Sequence, residues 1–251
     1  MIAWAMRTAN RAPKPNYLRA TLTGLAAQGF DLTRLHLAVT APKLDWLERA
    51  LEGLSTPRLI VPAKRIGANE NGLEAMAAAC ADGQPWIAVL EDDLVFCADF
   101  AGSCARWLQR HQRPDRHVYR CFGFTTPPRG SAVDAYDWPL ASLRGSQVFL
   151  LRTDDALDCI AWGRAHLRDW VRLAPWGRKY VALTDPTIGF DKLIATWALL
   201  RWPNVPGVMT HPYFVQHVGD QSSLHSKGIR NDKPFAGRQW RYDPAGEASG
   251  W

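Results

Sequence analysis

Three adjacent carboxylates, Glu91-Asp92-Asp93, stand out as residues whose type and spacing are suited to chemistry. Neighbouring carboxylates repel one another unless a cation or hydrogen-bond donors compensate their charge, and hard oxygen ligands suit Mg²⁺ or Mn²⁺ better than a soft metal. They follow the apolar run Trp86 to Leu90, which is typical of a strand covered on both faces. Ligands collect beyond the carboxyl ends of such strands. The position therefore favours a divalent-metal site over a solvated acidic turn.

A histidine near the other end of the chain could complete such a site. His217 follows the apolar run Tyr213 to Val215, with one residue between them. An imidazole at a strand end is often only a hydrogen-bonding group, but it can also add a nitrogen ligand to a carboxylate-bound Mn²⁺. Taken alone, a histidine in this position is more often structural than a metal ligand.

A separate carboxylate, Asp191, is the first candidate for a general base. It lies on a helix predicted from Pro186 to about Leu200, and its neighbours three and four positions away are apolar. Burial raises a carboxyl pKa, which suits the deprotonation of a hydroxyl group. The alternative is that Asp191 only caps a loop or pairs with an arginine such as Arg178. Asp185, at the predicted helix cap, is the second candidate for the base.

The elements that must position these residues alternate between strands and helices. Such alternation indicates an α/β fold with a Rossmann-like, mainly parallel sheet flanked by helices. We predict a single domain over residues 1–218 and a loop-rich C-terminal tail or flap over 219–251, with irregular segments at 125–130 and 169–184. The predicted strands cover 2–6, 35–39, 59–61, 86–90, 118–122, 147–151 and 213–217, and the predicted helices cover 17–27, 44–54, 71–81 and 186–200.

The composition limits the classes of protein to consider. The chain has 251 residues, 47% of them apolar, which is enough for a substantial core. Its apolar runs fall far short of the roughly 20 residues that cross a bilayer, and its N-terminus lacks the basic leader of a signal peptide, so we expect a cytoplasmic location. Five cysteines without a C-x-x-C pair indicate buried or free thiols rather than a zinc site or a disulfide framework.

The positive charge is concentrated in the middle of the chain. Residues 101–180 contain 13 Lys and Arg against 7 Asp and Glu, an excess equal to the whole net charge of +6. This surface is either ordinary and solvated or a dock for a phosphate-bearing partner. In the second case arginines would contact phosphates and tryptophans would stack on an exposed base. The candidates are Arg106, Arg110, Arg113, Arg116, Arg120 and Arg129, with Trp138, Trp170 and Trp176.

Three segments resemble one family. The run 86–94 resembles the D-x-D segment of GT-A glycosyltransferases, with E-D-D in place of a strict D-x-D. Arg7-Thr8 and Arg11, followed by the segment 17–22, resemble the first nucleotide-binding turn and helix of those enzymes. The residues 216–219 and 222–224 are similar to the C-terminal segment of branching N-acetylglucosaminyltransferases and of small phage-encoded relatives.

This resemblance implies a metal-dependent enzyme of the GT-A type that moves a sugar from a nucleotide diphosphate sugar, a UDP-sugar in the first instance, to an acceptor hydroxyl with inversion. Asp93 and His217 would hold Mn²⁺ or Mg²⁺, and Asp191 or Asp185 would be the catalytic base. The acceptor would be DNA with hydroxymethylated pyrimidines, as for some phage glycosyltransferases, or else a saccharide. The residues expected around the nucleotide are Arg7, Thr8, Arg11, Asn71, Glu91, Asp92 and Lys227.

Two other classes stay open at this stage. An acidic cluster after a central strand also serves Mg²⁺-dependent phosphatases and nucleases. A non-enzymatic nucleic-acid-binding module would use the arginines and the twelve tryptophans, but it leaves Glu91-Asp92-Asp93 unexplained. The sequence contains neither G-x-x-x-x-G-K-[ST] nor G-x-G-x-x-G, so a P-loop NTPase or an ordinary dinucleotide enzyme is not expected.

Overall fold

A computed structural model describes residues 1–10, 17–121, 135–142, 147–174, 189–210 and 213–217. The strands are β1 (Ile2–Thr8), β2 (Leu35–Val39), β3 (Arg58–Ile60), β4 (Trp86–Leu90), β5 (Leu94–Phe96), β6 (Tyr119–Arg120), β7 (Ala135–Trp138), β8 (Val148–Arg152), β9 (Gly207–Thr210) and β10 (Val215–His217). The helices are α1 (Leu18–Ala27), α2 (Asp45–Leu51), α3 (Ala68–Cys80), α4 (Phe100–His111), α5 (Thr153–Ala165), α6 (Trp170–Leu173) and α7 (Phe190–Arg201).

Eight of these strands form one sheet in the order β3-β2-β1-β4-β8-β6-β9-β7. The half from β3 to β4 is parallel throughout. In the other half β8 runs antiparallel to both β4 and β6, and β7 runs antiparallel to β9, while β6 and β9 are parallel. The α/β fold class is therefore confirmed, with a sheet that is parallel in one half and mixed in the other.

Strand β1 shows why the central runs are continuously apolar. Trp4 and Met6 project into a cluster with the α1 residues Leu18 and Leu22 on one face of the sheet. Ala3 and Ala5 project into a second cluster, shared with α3, on the other face. Successive side chains of a strand point to opposite faces, so a strand covered by helices on both sides needs apolar residues at every position.

Two helices begin three or more residues away from their predicted starts. Helix α3 starts at Ala68 after Gly67, three residues before the predicted start at Asn71. Helix α7 starts at Phe190, and Gly189 before it has φ 85°, a left-handed conformation that an α-helix does not contain. A continuous helix from Pro186 is therefore wrong, and residues 185–188 lie outside the described part of the chain.

Smaller differences and agreements complete the fold. The short helix α6 forms inside a segment predicted to be irregular. All five cysteines are free and buried, as predicted. Among the described helices, none combines the length and the apolar character needed to cross a membrane.

Candidate functional site

A two-stranded antiparallel ribbon brings the distant histidine to the acidic cluster. Strands β5 and β10 pair so that Leu94 lies opposite His217. This register places His217 beside Asp93, the residue before Leu94, and the imidazole Nε2 lies 2.9 Å from Asp93 Oδ2. Both residues are buried. The structure therefore brings the two predicted metal ligands together, although 123 positions separate Leu94 from His217 along the chain.

Glu91 joins this pair. One ligand atom each from Glu91, Asp93 and His217 lie within 4.8 Å of one another, in a group we call the acidic triad. The main-chain amide of Glu91 donates to the carbonyl of Gln147 at 3.1 Å, which fixes the end of β4 against the chain entering β8. Two carboxylates and one imidazole suit Mn²⁺ or Mg²⁺. The sequence placed Glu91 only near the nucleotide, so the triad adds a possible third ligand.

Asp92 points away from the triad. Its carboxylate accepts a hydrogen bond from the Thr8 hydroxyl, and its carbonyl accepts one from the Thr21 hydroxyl at 2.9 Å. The Thr21 oxygen in turn accepts from the Leu94 amide at 3.0 Å. Glu91 and Asp93 thus contribute to the triad, while the carboxylate of Asp92, between them, contacts Thr8. Asp92 therefore fastens the β4–β5 connection to β1 and α1.

Arg7, at the carboxyl end of β1, contacts the triad from one side. Its guanidinium donates to the Glu91 carboxylate and lies 5.1 Å from the centre of the Phe190 ring. Phe190 is the first residue of α7, so Arg7 links the end of β4 to the start of that helix. These contacts place Asp191, the next residue, at the same edge of the sheet as the triad.

Asn71 lies inside α3 rather than at its start. Its side-chain amide donates to the carbonyls of Thr8 and Ala38, each at 3.2 Å, and the residue is 2% exposed. It therefore holds the carboxyl ends of β1 and β2 beside each other. Its predicted contact with a nucleotide stays a prediction, as do those of Arg7, Thr8 and Asp92.

Asp191 is half-buried in the first turn of α7. Two polar residues, Lys192 and Thr196, follow Asp191 on the same helix. Both are buried, at 7% and 0% exposure, because α7 packs against α3, α5 and α6 together. Asp191 thus opens a helix that is covered on almost every side.

Arg120 is the functional candidate that the sequence analysis placed wrongly. It was assigned to a basic surface, but the residue is 1% exposed and forms part of β6. Its guanidinium donates to Gln147 Oε1 at 3.2 Å and lies 5.5 Å from the ring centre of Trp138 and 5.6 Å from that of Phe149. Burial lowers the pKa of Arg120 to about 10, while the negative charges of Asp191 and Glu91 oppose that change. The group is a buried cation at neutral pH.

A sequence signal for this position existed. Arg120 lies in the middle of the apolar run 118–122, which was itself predicted to be a strand. A charged residue inside a central strand is buried and needs a partner. Counting charge over a long window assigned the residue to the surface instead.

Three other arginines of the predicted basic surface pair with carboxylates in the described part of the chain. Arg113 and Arg116 both pair with Asp137, Arg116 at 2.8 Å, and Arg106 pairs with Asp99 at 2.9 Å. Trp138 and Trp170 are 4% and 0% exposed, so the expectation that these indoles stack on an exposed base is wrong. Both belong to the core cluster on the α3 face of the sheet.

Several predicted residues lie outside the described part of the chain. They stay predictions, together with the C-terminal tail or flap over 219–251 and the loop at 125–130. The residues are Arg11, Arg129, Trp176, Arg178, Asp185 and Lys227.

Comparison with known proteins establishes the fold. No protein-family profile and no curated protein sequence matches the chain. The crystal structure of S. aureus TarS 1–349 in complex with UDP-GlcNAc aligns with a TM-score of 0.50 and 14% identity, over 91% of this chain and 61% of that one. The complex of the same protein with UDP aligns with a TM-score of 0.47 and 14% identity, over 85% and 59%.

The chain spans between 37% and 61% of the lengths of the TarS chains it matches. At 14% identity, the likeness to the UDP-GlcNAc complex concerns the fold alone. It agrees with the predicted architecture of one central sheet flanked by helices.

Proposed function

We propose that this chain is a metal-dependent glycosyltransferase of the GT-A type that transfers a sugar from a UDP-sugar to an acceptor hydroxyl with inversion. The observation that carries this proposal is the acidic triad of Glu91, Asp93 and His217 at the carboxyl edge of the parallel half-sheet. Asp191 lies at the same edge, and the contact of Arg7 with Phe190 connects the two groups. A candidate metal site and a carboxylate base at one edge of the sheet are suited to such a transfer.

The residues present fit a divalent ion. Carboxylates of Glu91 and Asp93 with one nitrogen of His217 form a donor set that suits Mn²⁺ or Mg²⁺. When bound there, the ion would neutralise charge that develops on the departing diphosphate. Arg7 adds a positive charge beside the Glu91 carboxylate. Its guanidinium contacts Glu91 and the ring of Phe190, which hold it in place.

Asp191 supplies the proton acceptor in this proposal. The acceptor oxygen forms a bond to the anomeric carbon as the bond from that carbon to the diphosphate breaks, and the hydroxyl proton passes to the Asp191 carboxylate. Because this is one displacement, the configuration at the anomeric carbon inverts. Asp191 lies in the first turn of α7, and its negative charge acts on the buried Arg120 cation.

The choice of donor is supported by the fold. The TarS structure that aligns at a TM-score of 0.50 is a complex with UDP-GlcNAc. A UDP-sugar is therefore the first donor to test.

For the acceptor we propose a saccharide rather than hydroxymethylated DNA. The argument for DNA rested on a basic, tryptophan-bearing surface, but Trp138 and Trp170 belong to the core. Arg113 and Arg116 share the counter-ion Asp137, which weakens their attraction for phosphates. Labelled sugar that passes to hydroxymethylated DNA but to no saccharide would reverse this choice.

Calorimetric titration of UDP, with Mn²⁺ or with EDTA, tests the proposal. We expect UDP binding to require the ion and to be lost in Asp93→Ala and in His217→Ala. His117→Ala is the matched control, because His117 also pairs with an aspartate, Asp155 at 3.2 Å, at the opposite edge of the sheet. Equal UDP affinity in all three variants, with or without EDTA, would contradict the metal-dependent function.

A further inference from the structure

Arg120 is a charged residue in the buried interior of the sheet, where an arginine is unusual. Its side chain lies between two aromatic rings in the mixed half of the sheet and is 1% exposed. A buried cation is costly unless charges and hydrogen bonds compensate it, and an arginine stays protonated rather than losing its proton. The identity of the compensating groups therefore indicates what the residue does.

Two carboxylates supply the opposing charge. Among the described residues, the negative charge of Asp191 has the largest effect in raising the pKa of Arg120, and the charge of Glu91 has the next largest effect. Gln147 joins Arg120 to Glu91 by a second path, since its side-chain oxygen accepts from Arg120 at 3.2 Å and its carbonyl accepts from the Glu91 amide at 3.1 Å. Arg120 is thus joined to a member of the acidic triad through Gln147. The candidate base, whose charge acts on Arg120, follows Phe190, the ring that the Glu91 partner Arg7 contacts.

Two tyrosines, Tyr136 and Tyr213, also act on the Arg120 guanidinium. The hydroxyl groups of Tyr136 and Tyr213 lie 3.4 Å apart, and Tyr136 also donates to the Met209 sulfur at 2.8 Å. Burial, with the hydrogen bond to Tyr136, raises the pKa of Tyr213, so this phenol is uncharged at neutral pH. The phenol of Tyr213 does not balance the charge of the guanidinium, whereas the carboxylates of Asp191 and Glu91 carry the opposite charge.

We propose that Arg120 is a positioning residue that holds Asp191 in a fixed place relative to Glu91, so that the base and the donor site keep one geometry. This inference rests on the proposed function, in which Asp191 accepts the acceptor proton. The planar guanidinium can meet two partners in fixed directions, whereas a lysine would offer a point charge. Arg120 acts through Asp191 and does not itself touch the reacting atoms.

The first test is a double-mutant cycle on turnover with Arg120→Met, Asp191→Asn and the combined variant. We expect Arg120→Met to lower kcat by about 10–100-fold, as for residues that orient a functional group, while the Kd for UDP with Mn²⁺ changes less than about twofold. If Arg120 works through Asp191, the combined variant is no slower than Asp191→Asn alone. Multiplied losses in the combined variant would overturn the proposal.

The second test needs no activity. The urea midpoints of the same variants measure whether the two side chains interact in the folded protein, and we expect the combined variant to lose less than the sum of the single losses. Arg152→Met is the matched control, because Arg152 also lies 5.5 Å from an aromatic ring, that of Trp86, but at the opposite edge. Its loss should add to that of Asp191→Asn. Additive losses for Arg120 as well would overturn the proposal.

Arg120→Lys covers the case in which Arg120→Met does not fold. It keeps the charge and removes the planar guanidinium, so we expect a folded variant with kcat at least about tenfold below that of the wild type. Wild-type kcat in Arg120→Lys would show that a charge suffices and would overturn positioning by the guanidinium. If the wild type transfers no sugar but the midpoints are coupled, the proposed function fails and the link between Arg120 and Asp191 stands.

Discussion

The two edges of the sheet both carry histidine–aspartate pairs, in different surroundings. At the carboxyl edge His217 and Asp93 are 2.9 Å apart, and Glu91 joins them. At the amino edge His36 and Asp82 are 3.0 Å apart, and Arg58 contacts the same aspartate at 2.9 Å. A histidine beside an aspartate is thus common to both edges, and the third group differs.

The difference shows what separates a metal site from a structural contact. On the amino edge arginines compensate the carboxylates: Arg58 pairs with Asp82, and the charge of Arg152 acts on Asp155. Burial is the larger influence there and raises the pKa of Asp155, while the nearby His117 opposes it and stacks on Trp202. On the carboxyl edge the third member is a second carboxylate, Glu91, which itself pairs with Arg7. The acidic triad therefore combines two carboxylates with one imidazole, a donor set that can attract a divalent ion.

The largest expected effect is a difference in kcat between variants at the two edges of the sheet. Asp191→Asn removes the proton acceptor but keeps its shape, so we expect kcat to fall by about 10²–10⁴-fold with the Kd for UDP nearly unchanged. Asp155→Asn, at the amino edge, should keep kcat within a few-fold of the wild type. Steady-state rates and UDP titrations on the same preparations check both. A normal rate in Asp191→Asn would move the base elsewhere, with Asp185 as the next candidate.

The next effect separates the edges by metal binding. A ligand that binds only the folded state at a hundred times its Kd adds about 2.7 kcal/mol to the free energy of unfolding. We expect Mn²⁺ to stabilise the wild type and Asp82→Asn equally, and to have no effect on Asp93→Asn. Thermal melts with Mn²⁺ or EDTA measure this. Equal stabilisation of Asp93→Asn would remove the contrast between the edges.

The sequence predicted one half of this molecule better than the other. The parallel strands β1 to β4 lie within two residues of their predicted bounds. Strands that are buried on both faces consist of continuous apolar runs, which are easy to recognise in a sequence. Strands β5, β7 and β9 were not predicted. Each has three or four residues and pairs with chain that is distant in sequence, so its formation depends on tertiary contacts.

The candidate site divides in the same way. Asp93 and His217 were found because a family resemblance marks them, and the β5–β10 register then brings them together. Asp191 was found although the start of its helix was wrong. Arg120 and Gln147 were missed because their role depends on burial, which neither residue type indicates.

A third prediction concerns the packing that supports the start of α7. A Cβ added to Gly72, on α3, would lie 2.6 and 2.7 Å from Cδ2 and Cζ of Phe190, the ring that Arg7 contacts. Gly72→Ala should therefore lower the free energy of unfolding by about 1–3 kcal/mol and displace the neighbour of Asp191. Gly24→Ala, in helix α1, is the control. A Cβ at that position would lie 3.9 Å from the Phe96 side chain, an ordinary van der Waals distance.

We expect Gly24→Ala to be neutral or to stabilise by up to about 1 kcal/mol, because alanine favours helix more than glycine. Urea unfolding gives both values, and kcat shows whether the effect of Gly72→Ala reaches the site. Equal stability of the two variants would mean that α3 and α7 can separate without cost, and the support inferred for Asp191 would then be wrong.

The smallest effect tests whether the basic surface is neutralised. Burial alone would raise the pKa of Asp137, but hydrogen bonds from Arg116 and Arg113, with their charges, lower it overall. A carboxyl group whose pKa is lower in the folded than in the unfolded state contributes stability above the unfolded value of about 3.9, and that contribution is lost as the pH falls through the folded value. Its side chain is 40% exposed, so solvent screening keeps the contribution below about 1 kcal/mol.

Asp137→Asn should therefore be slightly less stable than the wild type at pH 7 in low salt, and should match it at about pH 2 or in about 1 M salt. Urea midpoints under the three conditions measure the difference. Release of Arg113 and Arg116 from their shared counter-ion should also strengthen the binding of duplex DNA at low salt, with a steeper dependence on salt than in the wild type. If the wild type already binds DNA as tightly and as salt-dependently as Asp137→Asn, the arginines are available to phosphates despite Asp137, and the preference for a saccharide acceptor loses its main support.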